Sequence, residues 1–420
     1  MKNIYKVCFF AASNAAGIER YRLFNPMWAI KDAGMDVVQL PTDIQDGNDL
    51  VNSLVAAYKD LVDADFLVLC SPTSGKVFDD VLQMVAMVNK KRGYHDALKV
   101  LVDYDDDLFN IPPTNQAYAL YGTQEVKLAD GRDLWKDGKE YKFGKFSVQE
   151  NLHRLNNIQN IMRKTDAILT TTDSMVNNFK RYNSHVYANP NCIDMNMFNI
   201  DIPEDPREKD EIRILYAGGN SHFLDFNSIK PAIAKILKNY PNVNFTFMGQ
   251  AYHPGEDIDV SRIHTIPFTG DYNEYVVNLK MLNPDIGICP LEHTRFNSCK
   301  SPIKWVEYSG IGCASVVAQT VYGDHARNNE TAVVYDNTLN SLAADNFYEK
   351  IAYLLDNPDE RKRIAMEAYT HISKVYSLEK QAERFIGILD HIKDPSSIYV
   401  PESPQIYKGM EYNAKLYKEF

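Results

Sequence analysis

Ile212–Gly249 reads IRILYAGGNSHFLDFNSIKPAIAKILKNYPNVNFTFMG. A β-branched apolar run, IRILYAG, gives way to SIKPAIAKILKNY, which places Ile229, Ile233, Ile236 and Leu237 on one helical face. A second apolar run, NFTFMG, follows. Strands this uniformly apolar are expected in a parallel sheet covered on both faces. Toward the C-terminus the alternation continues through RIHTIPFTG, DIGICPL, ASVVAQ and TAVVYD. Toward the N-terminus a separate set appears: YKVCFFAAS, MDVVQLPT, DFLVLCSP, KVLVDYDD, DAILTTT and SHVYANP. Helical patterns separate these runs. One of them, NPDERKRIAMEAY, opens with Asn357 as expected N-cap, Pro358 at the first helical position and Glu360 after it. Two such sets predict an α/β protein with two Rossmann-like, doubly wound domains facing a cleft.

The charged, proline-containing stretch NIDIPEDPREKDE (199–211) reads as the linker. The expected units are residues 1–198, residues 199–377, and a C-terminal helix and tyrosine-rich tail, 378–420, returning to the first domain. An insertion at 115–145 carries two hairpin-like turns, ADGR and KDGK. Its length suggests an acceptor lid or a partner surface. The net charge of -11 argues against a broad nonspecific nucleic-acid or anionic-membrane footprint. The six cysteines are scattered without metal-ligand spacing and read as reduced thiols of a cytoplasmic protein. No apolar run approaches the roughly 20 residues of a membrane span.

Ligands of doubly wound sheets sit outside the carboxyl ends of the strands, so the loops there carry the chemistry. The segment PLEHTRFNSCKSPIKWVEYSGIGCASVVA (290–318) passes from a strand through a polar loop into a helix. Ser301 is expected to cap that helix, with Pro302 at its first position. Free N–H groups beside Lys300 and Lys304 then form a diphosphate site. Glu307 is placed to accept hydrogen bonds from ribose hydroxyls. The plainer reading is a capped surface helix with a Lys–Glu pair. VDYDDDLF (102–109) sets four aspartates in five positions after a strand. Three uses are open: a divalent metal, a base for an acceptor hydroxyl, or capping and pairing with Arg20 and Arg22.

The 290–318 segment, with Gly312 and ASVVA after the glutamate, resembles the donor-binding segment of GT-B glycosyltransferases. It is most similar to the large family that uses nucleotide-diphospho-sugars and carries a Glu-x7-Glu motif. The second glutamate falls on Glu307 and the first on Cys299, so half of the motif is missing. IRILYAGGNSHFLDF resembles the opening of the donor domain, TTTDSMVNNFK…VYANPNCIDMNMF its hinge approach, and AGIERYR the glycine-containing loop facing the donor phosphates. The common Gly-Arg and lysine after the first donor-domain strand are absent. That departure, together with DYDDDLF and KSPIKWVEY, resembles a bacterial and phage subgroup. The resemblance implies a hexosyl- or pentosyltransferase. It implies donor contacts from Gly218, Gly219, Asn220, Lys300, Ser301, Lys304 and Glu307, and catalytic roles for Asp105, Asp106 and His222. Gly17, Arg20, Arg22 and Asp107 fall on the acceptor or phosphate side. His293 and Arg295 are within possible reach of the sugar, whereas His185, His325 and His371 read as structural.

GT-B enzymes generally need no metal for the chemistry, so no cofactor and no Mg or Mn requirement is expected. The expected partners are a nucleotide-sugar donor and a glycan, lipid-linked, protein or phage DNA acceptor. Two rivals stay open: an epimerase or hydrolase acting on nucleotide-sugars, and a non-catalytic nucleotide- or sugar-binding module.

Overall fold

The computed structural model describes residues 3–11, 17, 19–40, 57–93, 96–142, 144–200, 210–219, 222–254 and 258–396. Asn220, the neighbours of Gly17, most of the 199–211 linker and the tyrosine-rich tail lie outside these residues. The first set of apolar runs forms β1 (Lys6–Ala11), β2 (Asp36–Gln39), β3 (Phe66–Cys70) and β4 (Lys99–Tyr104). The insertion contributes the short β5 (Val126–Lys127), β6 (Asp133–Trp135), β7 (Glu140–Tyr141) and β8 (Gly144–Lys145). The first sheet is completed by β9 (Ala167–Thr170) and β10 (Val186–Ala188), and runs parallel in the order β10-β9-β4-β3-β1-β2.

The second set forms β11 (Ile212–Gly218), β12 (Val243–Gly249), β13 (Ile263–Ile266), β14 (Ile286–Cys289), β15 (Ala314–Ala318) and β16 (Val333–Tyr335). They too are parallel, in the order β13-β12-β11-β14-β15-β16. Renumbered within the sheet this is 3-2-1-4-5-6. The direction of winding therefore reverses between β11 and β14, where such sheets open a ligand crevice.

The fully apolar strands are buried on both faces, as their composition requires. The first sheet packs one face against helices Gly75–Asn89 and Val148–Lys164 through Phe78, Val81, Leu155 and Ile158. Its other face receives the helices Asn25–Asp32 and Leu378–Lys393. Ala382, Phe385, Ile386 and Leu389 of that last helix are all buried there, and the Tyr5 hydroxyl donates to Asp390 Oδ1 at 2.6 Å. Each such aliphatic or aromatic side chain contributes about 1.5–3 kcal/mol on burial.

Three local expectations change. The helix after β11 begins at Phe223 rather than Ser228, which leaves Pro231 inside it. The extra turn is held because buried Asp225, in that turn, binds the loop after β14. Of the two insertion turns, ADGR closes a hairpin between β5 and β6 with Gly131 at φ +85°. KDGK instead links β6 to β7, and the second hairpin pairs β7 with β8. Asn357 does precede the helix Pro358–Val375, but its side chain donates back to the Tyr353 carbonyl rather than capping.

Candidate functional site at the reversal of the second sheet

At the tip of β12, Gly249 has φ +98°, and a Cβ there would lie 2.7 Å from the Gly218 carbonyl oxygen. The β11 carbonyl approaches this closely because Gly249 carries no side chain. Gly249→Ala is expected to cost about 1–2 kcal/mol for the left-handed backbone alone, before the clash is relieved. Urea unfolding checks it, and a loss under a few tenths of a kcal/mol would contradict the close approach.

Two chambers of about 230 Å³ each open here and share His222. The first is lined by Gly218, Gly219, Phe268, Lys304 and Glu307. The second lies between the domains, lined by Asn115 and Gln116 of the insertion neck and by Glu292, Asn297 and Lys300 of the second domain. At their junction the His222 ring bridges Asp225 Oδ2 (2.7 Å from Nδ1) and Lys304 Nζ (3.1 Å from Nε2). An ammonium only donates, so Nε2 accepts, and the ring proton sits on Nδ1 facing Asp225. Burial and the Lys304 charge push the His222 pKa down to about 4, against the pull of Asp225. The ring is therefore neutral at neutral pH and holds Lys304 in place. Lys304 itself is lowered by burial. Lys300 crosses the cleft to Asp106 at 3.1 Å. Burial works to lower its pKa, but Asp106 more than offsets this and the net shift is upward.

Glu307 is 5% exposed. The Tyr21 hydroxyl of the first domain donates to Oε1, and the Tyr275 hydroxyl donates to Oε2 at 2.9 Å. Burial pushes this carboxyl up to about 7, against the two tyrosines and Lys304.

The four aspartates of 102–109 separate into four different contacts. Asp103 is fully buried and bound bidentately by Arg22 at 2.8 and 2.6 Å. Asp105 accepts from Asn191 Nδ2 at 3.2 Å, and burial followed by the Asp106 charge raises it to about 6. Asp106 meets Lys300. Asp107 accepts from Asn110, Asn178 and the Phe109 N–H, closing its own turn. Among the described residues no group of three or more His, Cys, Asp or Glu is placed to hold a metal.

Several expectations are corrected. Of the two placements open for Arg22, a phosphate or the aspartates, it takes the second: its guanidinium binds Asp103, with Asn189 and Asn191, inside the first domain. Arg20 lies over the rings of Trp28 (4.5 Å) and Tyr272 (4.3 Å) rather than on an aspartate. Ser301 does not cap: the helix Ile303–Gly310 has Pro302 as its N-cap residue without a side-chain bond, and the buried Ser301 hydroxyl has no partner among the described residues. His293 turns to Thr320 at 2.9 Å and Arg295 is exposed, and neither lines a chamber. Gly17 has φ +95° with open space beside it.

Cys299 ends a short turn of helix just before Lys300. Its side chain is buried in the core of the first domain, 3.9 Å from Asp107, with Asn178 donating to the sulfur. A carboxylate there would be buried beside another carboxylate. Phe296, three residues earlier, packs among Tyr118 and Trp135 of the insertion and Ile111 and Phe146 that flank it. The loop after β14 is thus anchored in the first domain at two points. Tyr21, Tyr275, Asn115, Gln116 and Glu292 are site residues that sequence reasoning missed.

Residues 230–387 match the family described as glycosyl transferase-like. No curated protein sequence matches the chain. Among solved structures the chain is similar to HepE from Anabaena in complex with UDP, at 9% identity, 92% of this chain and 99% of that one, TM-score 0.56. It is similar to sucrose-phosphate synthase from Thermosynechococcus elongatus at 11% identity, 93% and 100% coverage, TM-score 0.57. An alpha-glucosyltransferase in complex with UDP-glucose and DNA containing an abasic site aligns at 12% identity, 92% and 100% coverage, TM-score 0.56. With two parallel-sheet domains across one cleft, these likenesses establish the GT-B fold. No described helix is long and apolar enough to cross a membrane.

Proposed function

We propose that this protein is a glycosyltransferase that moves a sugar from a nucleotide-diphospho-sugar to an acceptor hydroxyl. The observation that carries the reading is the pair of chambers that share His222. Nucleoside in the first, beside Glu307, puts the diphosphate at Lys304 and Lys300 and the sugar in the second. Catalysis then comes from positioning and from two partly buried cations stabilising the departing diphosphate. His222, being neutral, orients Lys304 rather than donating a proton. Asp106, at the cleft beside Lys300, is our choice for the base that takes the acceptor proton, with Asp105 behind it. Because each aspartate has its own protein partner and lysines face the diphosphate, we infer that no divalent metal is required. The acceptor, whether glycan, lipid-linked sugar, protein or DNA, binds from the first domain and the insertion. The six buried, unpaired cysteines fit a cytoplasmic location.

Thermal unfolding against UDP, GDP, ADP, dTDP and CMP, each with Mg²⁺ and with EDTA, tests the reading. UDP is the first to try, given the nucleotides bound by the neighbours named above. One ligand at 100 times its dissociation constant is expected to stabilise by about 2.7 kcal/mol, equally in EDTA, and to lose that effect in Glu307→Ala. Stabilisation that vanishes in EDTA would overturn the metal-free mechanism. No stabilisation by any nucleotide would overturn the donor assignment.

A further inference from the structure

We propose that Glu292 selects the transferred sugar, holding the hydroxyls of a neutral hexose in the second chamber and rejecting sugars that carry a carboxylate. The inference rests on the donor reading above. It concerns a residue in the same loop as the buried Cys299.

Every part of Glu292 except its carboxylate is fixed. Its N–H donates to Asp225 Oδ1 at 2.8 Å, and its carbonyl accepts from Thr294 N–H and Asn297 Nδ2, both at 3.0 Å. Asn297 also donates to Asp225 at 3.1 Å. Asp225 therefore positions two things at once, the His222 ring and the Glu292 backbone. The carboxylate of Glu292, by contrast, has no hydrogen bond or ion pair among the described residues, although the residue is only partly exposed and lines the chamber. That half-exposed carboxylate is free to accept hydrogen bonds from ligand hydroxyls.

The chamber's charge sets the class. Two carboxylates, Glu292 and Asp225, line it, His222 is neutral, and Lys300 is shared between Asp106 and, in the donor reading, the diphosphate. A uronic or sialic sugar would bring a third carboxylate into a space of about 230 Å³ with no free cation among its described lining residues. A neutral hexose brings adjacent hydroxyls, which a carboxylate accepts in pairs. The amides of Asn115 and Gln116, from the opposite wall, add donors and acceptors for the remaining hydroxyls.

The test is calorimetric titration of wild type, Glu292→Ala, Glu292→Gln and Glu292→Lys. The probes are UDP, UDP-glucose and UDP-glucuronate, or the same three forms of whichever diphosphate stabilises the protein in the melting panel. Wild type is expected to bind the glucose form at least about tenfold tighter than the glucuronate form, the size of one charged hydrogen bond lost. Glu292→Ala should weaken the glucose form about tenfold and leave the bare diphosphate within twofold. Glu292→Gln should lie between, and Glu292→Lys should invert the preference toward glucuronate. Equal binding of the two sugars by wild type overturns the proposal, as does a Glu292→Ala loss that falls equally on the bare diphosphate. Absence of any diphosphate binding overturns the donor reading itself, and the proposal with it.

Discussion

Replacing Arg22 with alanine is expected to lower the unfolding free energy by about 3–5 kcal/mol, the usual result of stranding one partner of a buried ion pair. Arg22 is 1% exposed and so is Asp103. The guanidinium makes two parallel bonds to that carboxylate and two more, to the Asn189 carbonyl at 2.6 Å and Asn191 Oδ1 at 2.8 Å. Nothing in the surrounding apolar core can take over Asp103. The pair need not be a net gain over a hydrophobic substitute, since desolvation of both ions offsets much of their attraction. The double substitution Arg22→Met, Asp103→Leu should therefore cost clearly less than Arg22→Ala alone, a non-additivity expected of touching residues. Urea unfolding at pH 7 of both variants decides it. A loss below about 1 kcal/mol in the single variant would mean that the pair is solvated. The site should register the change too. Asn191, freed from Arg22, is the residue that holds Asp105, and the Arg22 charge is one of the influences keeping Asp105 from rising further.

What the sequence made legible and what it did not follow from the range of the interactions involved. The apolar runs became strands because a short, near-continuous run of apolar residues bounded by polar loops fits a sheet covered on both faces. Lys300, Lys304 and Glu307 were legible because strand, loop and helix lie contiguous in the chain. The partners were not. Tyr21 and Glu307 are 286 positions apart, and Lys300 and Asp106 are 194 apart. No local pattern marks such pairs. The four aspartates looked like one feature because they are adjacent, yet alternation along β4 and the turn after it sends each to a different neighbour. Ser301 misled for a local reason. A serine before a proline fits a cap, but Pro302 adopts ψ 26° and the helix begins only at Ile303. Glu292 carried no signal at all, since its role depends on Asp225 and Asn297 pinning its backbone.

Glu307→Gln is expected to do two opposite things: to stabilise the free protein above neutral pH and to abolish its response to nucleotide. The folded-state pKa of Glu307 is raised from 4.5 to about 7, chiefly by burial. A group raised in this way contributes stability that is fully present below its unfolded pKa and is lost as pH rises through the folded one. In wild type the loss runs from about pH 4.5 to about pH 7 and amounts to about 3 kcal/mol. Glutamine keeps the volume and can bond both tyrosines without ever carrying charge. Its advantage over wild type should thus be about 1 kcal/mol or less at pH 5 and about 3 kcal/mol at pH 8, read as urea midpoints at the two values. An advantage that does not grow with pH would mean that Glu307 ionises normally. The same charge that costs stability is what two ribose hydroxyls would bind, with the Tyr21 hydroxyl giving up its oxygen to make room. Nucleotide stabilisation in wild type should accordingly strengthen between pH 6 and pH 8, while Glu307→Gln stays flat and unresponsive. If the glutamine variant gained stability and still bound nucleotide as wild type does, the carboxylate would be an unused buried charge and the ribose assignment would fall.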